Sequence, residues 1–467
     1  MNTDTTIAAI ATPPGVGAIA ILRLSGKNAI SICEQVFRPT KQGKVLSKQP
    51  PYTIHHGSIV DGNKIVDQVL VSIFKAPQSY TGENMVEISC HGSTLIQQQI
   101  LEILIANGAT PAQAGEFTLR AFLNGKMDLS QAEGVADLIA SNSEAARKVA
   151  MNQLRGGFSS KLAELREQLL HFISLIELEL DFSEEDVEFA DRDQLLTLVD
   201  GIAEQTSQLL ESFKMGNVIK TGIPVTIAGK PNVGKSTLLN KILNEEKAIV
   251  SDIAGTTRDT IEDTISIKGI AFRFIDTAGL RHTTNSIETI GIERAYSKIS
   301  EALVVLMLID AHETPENCAS EIVPVRQRLQ SDQRLIILVN KADMVGSDKL
   351  KTLTSSLKSA FAGNTIITIS AKQGDNIDLL LNELVTDYQE SVNHADGIII
   401  TNARHYESLH NAMKNLNRVR NGINNQIPTD LLAMDIRQVL HYIGLITGNI
   451  STDEILGSIF SKFCIGK

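Results

Sequence analysis

The chain has 467 residues, 43% hydrophobic and 21% charged, a composition typical of soluble globular proteins and a length too great for one core. Its 54 acidic and 43 basic residues leave a net charge of −11, which argues against a whole-surface grip on nucleic acid and leaves any RNA contact to a local patch or a partner. The absence of a bilayer-length apolar run or a signal-like first segment, and four scattered cysteines (Cys33, Cys90, Cys318, Cys464) with no CxxC pair, point to a reducing cytoplasm without disulfides or structural zinc.

Residues 1–120 read as an α+β module. Short β-branched runs at 7–10, 18–24, 66–74 and 84–89 predict strands, punctuated by Pro13-Pro14-Gly15, Asp61-Gly62 and Thr81-Gly82. Residues 93–107 predict a helix with Leu95, Ile100, Leu101, Leu104 and Ile105 on one stripe. Gly15-Val16-Gly17 hints at a dinucleotide fingerprint, but the following run is strand-like and no acid closes the next strand, so it reads as a tight turn. Cys90-His91, adjacent rather than at ligand spacing, reads as packing.

From 129 to 215 the periodicity becomes helical, through Leu129, Ala132, Val135, Ala136 and Ile139, then Leu162, Leu165, Leu169, Phe172, Ile173 and Ile176. The acidic run at 177–188 alternates with apolar residues and reads as a solvated face. Helical spacing returns over 402–461 through Leu409, Met413, Leu416, Leu431, Ile436, Leu440 and Ile443. Between the two helical stretches lies an α/β unit, whose longest apolar run, 302–309, suits a buried strand. The expected division is an N-terminal domain at 1–120, a helical domain in two parts at 121–217 and 386–467, and an inserted Ras-like P-loop G domain at 218–385. Insertion of this kind requires only that the inserted domain's two ends lie close together.

Gly229-Lys230-Pro231-Asn232-Val233-Gly234-Lys235-Ser236 matches GxxxxGK[ST] between an apolar strand at 224–228 and a helix containing Leu238, Leu239 and Ile242. Glycines let backbone N–H groups wrap the phosphates, and the helix N-terminus adds its positive dipole end. Lys235 is expected at the β- and γ-phosphates and the Ser236 hydroxyl on Mg²⁺, with Thr237 next along the helix. Three further elements each follow a predicted strand. Asp276-Thr277-Ala278-Gly279 supplies an acid for Mg²⁺ and a glycine N–H for the γ-phosphate. In Asn340-Lys341-Ala342-Asp343, the aspartate accepts both guanine edge donors, a pair adenine lacks, and Ser370-Ala371-Lys372 closes over the base. Four such elements in this order specify GTP.

Ser251, Asp252, Ile253, Ala254, Gly255, Thr256 and Thr257 lie between the P-loop and Asp276 and belong to the expected nucleotide contacts. Thr257 is assigned to Mg²⁺, which makes this loop a γ-phosphate-dependent switch. Leu280 stands where many small GTPases carry a water-orienting glutamine, so another group has to supply that role. Glu288 is a candidate, with a plain surface glutamate as the alternative.

Further motifs resemble the bacterial MnmE (TrmE) family of tRNA-modification GTPases over essentially the whole chain. They are Ala11-Thr12-Pro13-Pro14-Gly15, Leu22-Arg23-Leu24-Ser25-Gly26, Tyr80-Thr81-Gly82-Glu83, Ala114-Gly115-Glu116-Phe117-Thr118, Ala121-Phe122-Leu123-Asn124-Gly125-Lys126 and the final Phe463-Cys464-Ile465-Gly466-Lys467. The resemblance implies a cytoplasmic homodimer joined through the N-terminal modules, not bound to membrane. It also implies a heterotetramer with the flavoprotein MnmG that installs an aminomethyl or carboxymethylaminomethyl group at C5 of the wobble uridine of certain tRNAs. The implied one-carbon donor is a tetrahydrofolate derivative (5-formyl or methylene), contacted by Arg23, Glu83, Lys126 and Lys467, with Cys464 at the same site. It further implies hydrolysis when two G domains meet around K⁺ held by Asn232, Ser251, Ile253 and Thr256, with Glu288 activating water beside Lys235. The competing reading from another class is a regulatory GTPase switch for ribosome or complex assembly, without modification chemistry of its own.

Overall fold

The computed structural model describes residues 4–181, 192–245, 263–275, 299–393 and 398–466. They form two compact units: one of Met1–Ala136, Gln153–Val199 and Lys414–Lys467, the other of Asp137–Asn152 and Asp200–Met413.

The first unit is built on seven strands: β1 (Ile7–Ile10), β2 (Ile19–Ser25), β3 (Phe37–Pro39), β4 (Thr53–Asp61), β5 (Lys64–Phe74), β6 (Met85–His91) and β7 (Thr110–Pro111). Their order across the sheet is β3-β4-β5-β6-β2-β1-β7, antiparallel except for the β1–β7 pair. Side chains alternate across a pleated strand, so one face collects Leu22, Leu24, Ile59, Val69, Val71, Ile73, Val86 and Ile88 into a core. Helices α1 (Ala29–Val36) and α2 (Thr94–Ala106) cover it. The strand β4 and the helix α1 were not anticipated; the His55-His56-Gly57 stretch masks β4's alternation in the sequence.

The expected α2 stripe is corrected in part. Gln97, Ile100 and Leu104 are its buried residues, while Leu95 is 62% exposed. An i, i+3, i+7 line meets the sheet, and Leu95 lies off that line. Helix α3 (Glu116–Leu123) leads to α4 (Leu129–Ala140), and further on lie α5 (Glu144–Leu154), α6 (Gly157–Asp181) and α7 (Arg192–Thr221). The α6 stripe is as read: Leu162, Leu165, Leu169, Phe172, Ile173 and Ile176 are all buried, and this helix packs along Thr429–Thr447. Two other stripes are wrong at single positions, because Ile139 and Leu431 face solvent and Leu432, beside the latter, takes the inward place.

The second unit holds a six-stranded sheet of β8 (Ile223–Ala228), β9 (Asp263–Ile267), β10 (Ile270–Phe274), β11 (Val304–Asp310), β12 (Arg334–Asn340) and β13 (Thr365–Thr368). Its order is β13-β12-β11-β8-β10-β9, parallel apart from the β9–β10 hairpin. Parallel strands buried on both faces read as unbroken apolar runs, which is why these were legible. Strand β8 lies between β10, reached one way, and β11, reached the other, so a crevice opens at its carboxyl end. The P-loop and helix α8 (Lys235–Glu245) begin there.

Candidate functional site

Backbone geometry shapes the P-loop. Gly229 and Gly234 hold φ of +144° and +104°, and a Cβ at Gly234 would come within 2.3 Å of Asn340 Nδ2. Only glycine takes both the dihedral and the close approach. Asn232 also has positive φ, at +62°, and is exposed on the loop. Val233 is buried, Thr237 is exposed, and Ser236 lies half-buried in the first turn of α8. Lys235 Nζ folds back to donate to the carbonyls of Gly229 (2.5 Å) and Lys230 (2.8 Å). Burial lowers its pKa from 10.5, so the loop holds a strained cation that an anion would relieve. Lys230 is tied to Glu321 at 2.7 Å.

Asn340 connects three expected elements. Its amide nitrogen donates to the Val233 carbonyl at 2.7 Å, and its amide oxygen accepts from the Ala371 N–H at 2.9 Å. At 3% exposure it is a buried strut between the P-loop and the base-closing loop. Lys341, at φ +64°, places Nζ 2.7 Å from Asp310 Oδ2. Burial works to raise the Asp310 pKa, but hydrogen bonds from Lys341 and His312 outweigh it and hold it at about 2. Asp343 is exposed just beyond, open to a base, while Ser370 is buried and Lys372 exposed. Asp310 was missed by sequence reasoning; β11–β12 register sets it opposite Asn340, a pairing no local motif announces. Ser251, Asp252, Ile253, Ala254, Gly255, Thr256, Thr257, Asp276, Thr277, Ala278, Gly279 and Glu288 lie outside the described residues.

A second site lies on the open face of the first sheet. Arg23, Tyr52, Phe74, Tyr80, Met85, Glu87 and Lys126 line a cleft of about 560 Å³ together with Gln78 and Ser79. Arg23 on β2 faces Glu87 on β6 in register, and its Nε and Nη2 donate to Glu87 Oε1 at 3.0 and 2.8 Å. The Arg23 guanidinium lies 5.4 Å from the Tyr80 ring and 5.6 Å from the Phe117 ring. Burial raises the Tyr80 phenol pKa, and the hydroxyl pairs with Thr118.

The C-terminal tail is sewn into this wall. Gly115 N–H donates to the Cys464 carbonyl (3.4 Å), Ile465 bridges Ala114, and the Gly466 carbonyl accepts from Arg23 Nη1 at 3.4 Å. The Cys464 residue is exposed; Lys467 lies outside the described residues.

Lys126 Nζ donates to the Pro77 carbonyl at 2.9 Å. Glu83 is not among the cleft's lining residues. Its carboxylate accepts from Ser25 Oγ at 2.7 Å and from Arg120 Nη1 at 3.3 Å. Arg120, 2% exposed, also donates to Glu116 (2.8 Å) and the Thr5 carbonyl (2.7 Å). Glu87, absent from the sequence reading, is the acid that faces the cleft; its signal was the strand register, available only once β2 and β6 are paired.

Among the described residues no helix is long and apolar enough to cross a membrane, and no cluster of metal-ligating side chains occurs. Residues 6–126 match the family model of the GTP-binding protein TrmE N-terminus, and residues 129–464 match that of the MnmE helical domain, a span that encloses the G domain. The tRNA modification GTPase MnmE of Flavobacterium johnsoniae is 53% identical over 100% of both chains. The protein of that name from Bacteroides thetaiotaomicron is 51% identical, again over 100% of both. Among solved structures, Era from Aquifex aeolicus is 27% identical over 41% of this chain and 66% of its own, with a TM-score of 0.26. The fold is thus an N-terminal α+β module, a helical domain and a Ras-like G domain. With half of its residues shared along the full length of such relatives, and a P-loop crevice within the second matched span, the chain belongs to the MnmE family of tRNA modification GTPases.

Proposed function

We propose that this GTPase is K⁺-dependent and acts with the flavoprotein MnmG to add an aminomethyl or carboxymethylaminomethyl group to C5 of the wobble uridine of certain tRNAs. The one-carbon unit comes from 5-formyl- or methylene-tetrahydrofolate. The observation that carries this reading is the cleft of the first unit, where an arginine–glutamate pair sits among Tyr52, Phe74 and Tyr80. Its residues fit a folate. Aromatic walls suit a flat heterocycle, a carboxylate suits paired N–H donors, and Arg23 and Lys126 suit an anionic tail. Folate contacts are assigned to Arg23, Glu83, Lys126 and Lys467, with Glu83 held by Ser25 and Arg120 and with Cys464 beside them.

In the G domain, Asn232, Val233, Gly234, Lys235, Ser236 and Thr237 bind the phosphates, while Asn340, Lys341, Asp343, Ser370, Ala371 and Lys372 hold guanine and ribose. Mg²⁺ is assigned to Ser236 and Thr257, and K⁺ to Asn232, Ser251, Ile253 and Thr256; the exposed, left-handed Asn232 leaves its side chain available for an ion. Bound cations would neutralise charge that develops on the phosphates. Lys235 is assigned to phosphate oxygen, and Glu288 orients water. Domain boundaries are placed at 1–120, 121–217, 218–385 and 386–467, in a cytoplasmic homodimer that forms a heterotetramer with its partner.

The test is a mass-spectrometric nucleoside inventory of tRNA from cells with and without this chain. Loss of the C5 substituent on wobble uridine, other modifications intact, is the expected result. An unchanged inventory leaves a regulatory switch instead. The ion assignment is tested separately: GTPase rates should be roughly tenfold or more higher in KCl than in NaCl of matched ionic strength, and equal rates exclude it.

A further inference from the structure

We propose that the C-terminal half of helix Ala403–Asn424 is a contact surface for the phosphate backbone of the tRNA. The chain carries 54 acidic residues, yet residues 408–429 contain no Asp or Glu. Lys414, Arg418 and Asn421 are exposed and fall at i, i+4 and i+7, so they share one stripe, and Asn425 continues it. Arg420 flanks the stripe, with Nη2 donating to Asn417 at 3.0 Å. Among the described residues, neither Lys414 nor Arg418 has a carboxylate at ion-pair distance.

Two features separate this face from an ordinary solvated one. Exposed helix faces usually interleave both signs, and i, i+4 acid–base pairs stabilise them; here the acids are missing. Asparagine is also a poor helix former, costing a few tenths of a kcal/mol or more per position relative to Ala, yet Asn417, Asn421 and Asn424 recur along the helix. The inward side buries Leu416, Val419 and Ile423 together with Asn415, whereas Asn421 and Asn424 are exposed, so packing does not demand those two amides. Cations with carboxamide donors and no carboxylate are the chemistry that grips phosphate and sugar hydroxyls without reading sequence. One helical turn, about 6 Å for four residues, sets Lys414 and Arg418 on the scale of successive phosphates. An overall charge of −11 leaves RNA contact to a local patch of this kind or to a partner.

The test uses the full chain and a tRNA transcript lacking the wobble modification, with affinity measured by fluorescence anisotropy from about 50 to about 200 mM KCl. The double substitutions Lys414→Gln/Arg418→Gln and Lys414→Glu/Arg418→Glu are compared with the unsubstituted chain, and circular dichroism melting checks folding. The glutamine pair is expected to lower the slope of log K against log salt by roughly 1.4–1.8 and weaken binding about tenfold at low salt. The glutamate pair weakens it further. GTP hydrolysis stays unchanged. Superimposable binding curves overturn the proposal, as does absence of tRNA binding by the unsubstituted chain. Loss of a protein partner with tRNA affinity intact overturns it too, and makes the face a protein contact.

Discussion

The side-chain amide of Asn340 donates to the backbone carbonyl of Val233 at 2.7 Å, which joins the segment that follows β12 to the P-loop. The same side chain accepts from Ala371 N–H, so one buried residue holds the P-loop, the Asn340–Asp343 segment and the Ser370–Lys372 segment in mutual register. Such a strut lets the ligand meet an ordered site rather than order it on arrival.

Asn340→Ala leaves a buried carbonyl and a buried N–H without partners, at a cost of about 1–3 kcal/mol. Nucleotide affinity is therefore expected to fall roughly 10- to 100-fold for GDP and GTP alike. Titration with a fluorescent guanine nucleotide measures it, and unaltered affinity would show that the P-loop orders itself independently.

Lys235 gives a protonic signature. Because burial lowers its pKa, its charged form is penalised in the fold, and that penalty lifts as pH rises through the lowered pKa. Phosphate oxygens would favour the charged form again. Nucleotide binding should then take up protons in the alkaline window below the ordinary lysine value of 10.5, seen calorimetrically as a heat that varies with buffer ionisation enthalpy. Lys235→Met should remove the buffer dependence and most of the affinity.

Asp310, held at about 2 against an ordinary 3.8, contributes stability that is complete above 3.8 and lost as pH falls through 2. Since it is partly exposed, about 1–2 kcal/mol is the expected contribution at neutral pH. Urea unfolding of Asp310→Asn should show that deficit at pH 7 and a narrowing gap on acidification below pH 4. A gap independent of pH would mean that lost packing, not the Lys341 and His312 bonds, is responsible.

Arg120 lies buried between Glu83 and Glu116. Arg120→Met strands two carboxylates with little solvent access, and about 3–5 kcal/mol of destabilisation follows. Adding Glu83→Gln should recover part of it, because the amide needs no counter-charge. Strictly additive losses in a thermal-melt double-mutant cycle would contradict the coupling.

The nucleotide site was legible because its chemistry is local. Gly229, Gly234 and Lys235 sit close together in the chain, directly after a strand whose Ile223 and Val225 belong to the core. The α6 stripe was equally readable, since its inward residues repeat at helical spacing over four turns. Leu95, Ile139 and Leu431 were misread for the opposite reason: each fits a plausible stripe, and only the neighbour that covers the helix decides which stripe is inside.

Sequence by itself determined the GTP chemistry, the family and the kinds of element along the chain, because motif, dihedral preference and periodicity are properties of neighbouring residues. Tertiary structure alone decided that Glu87 faces Arg23 across the cleft, that Arg120 is the buried counter-charge of Glu83, and that the tail from Cys464 to Gly466 closes the wall. Those relationships join residues from 64 to 443 positions apart in the long-range cases of Arg23 with Glu87 and Gly466. Strand register and the packing of remote segments set them, and neither leaves a periodic or local trace in the chain.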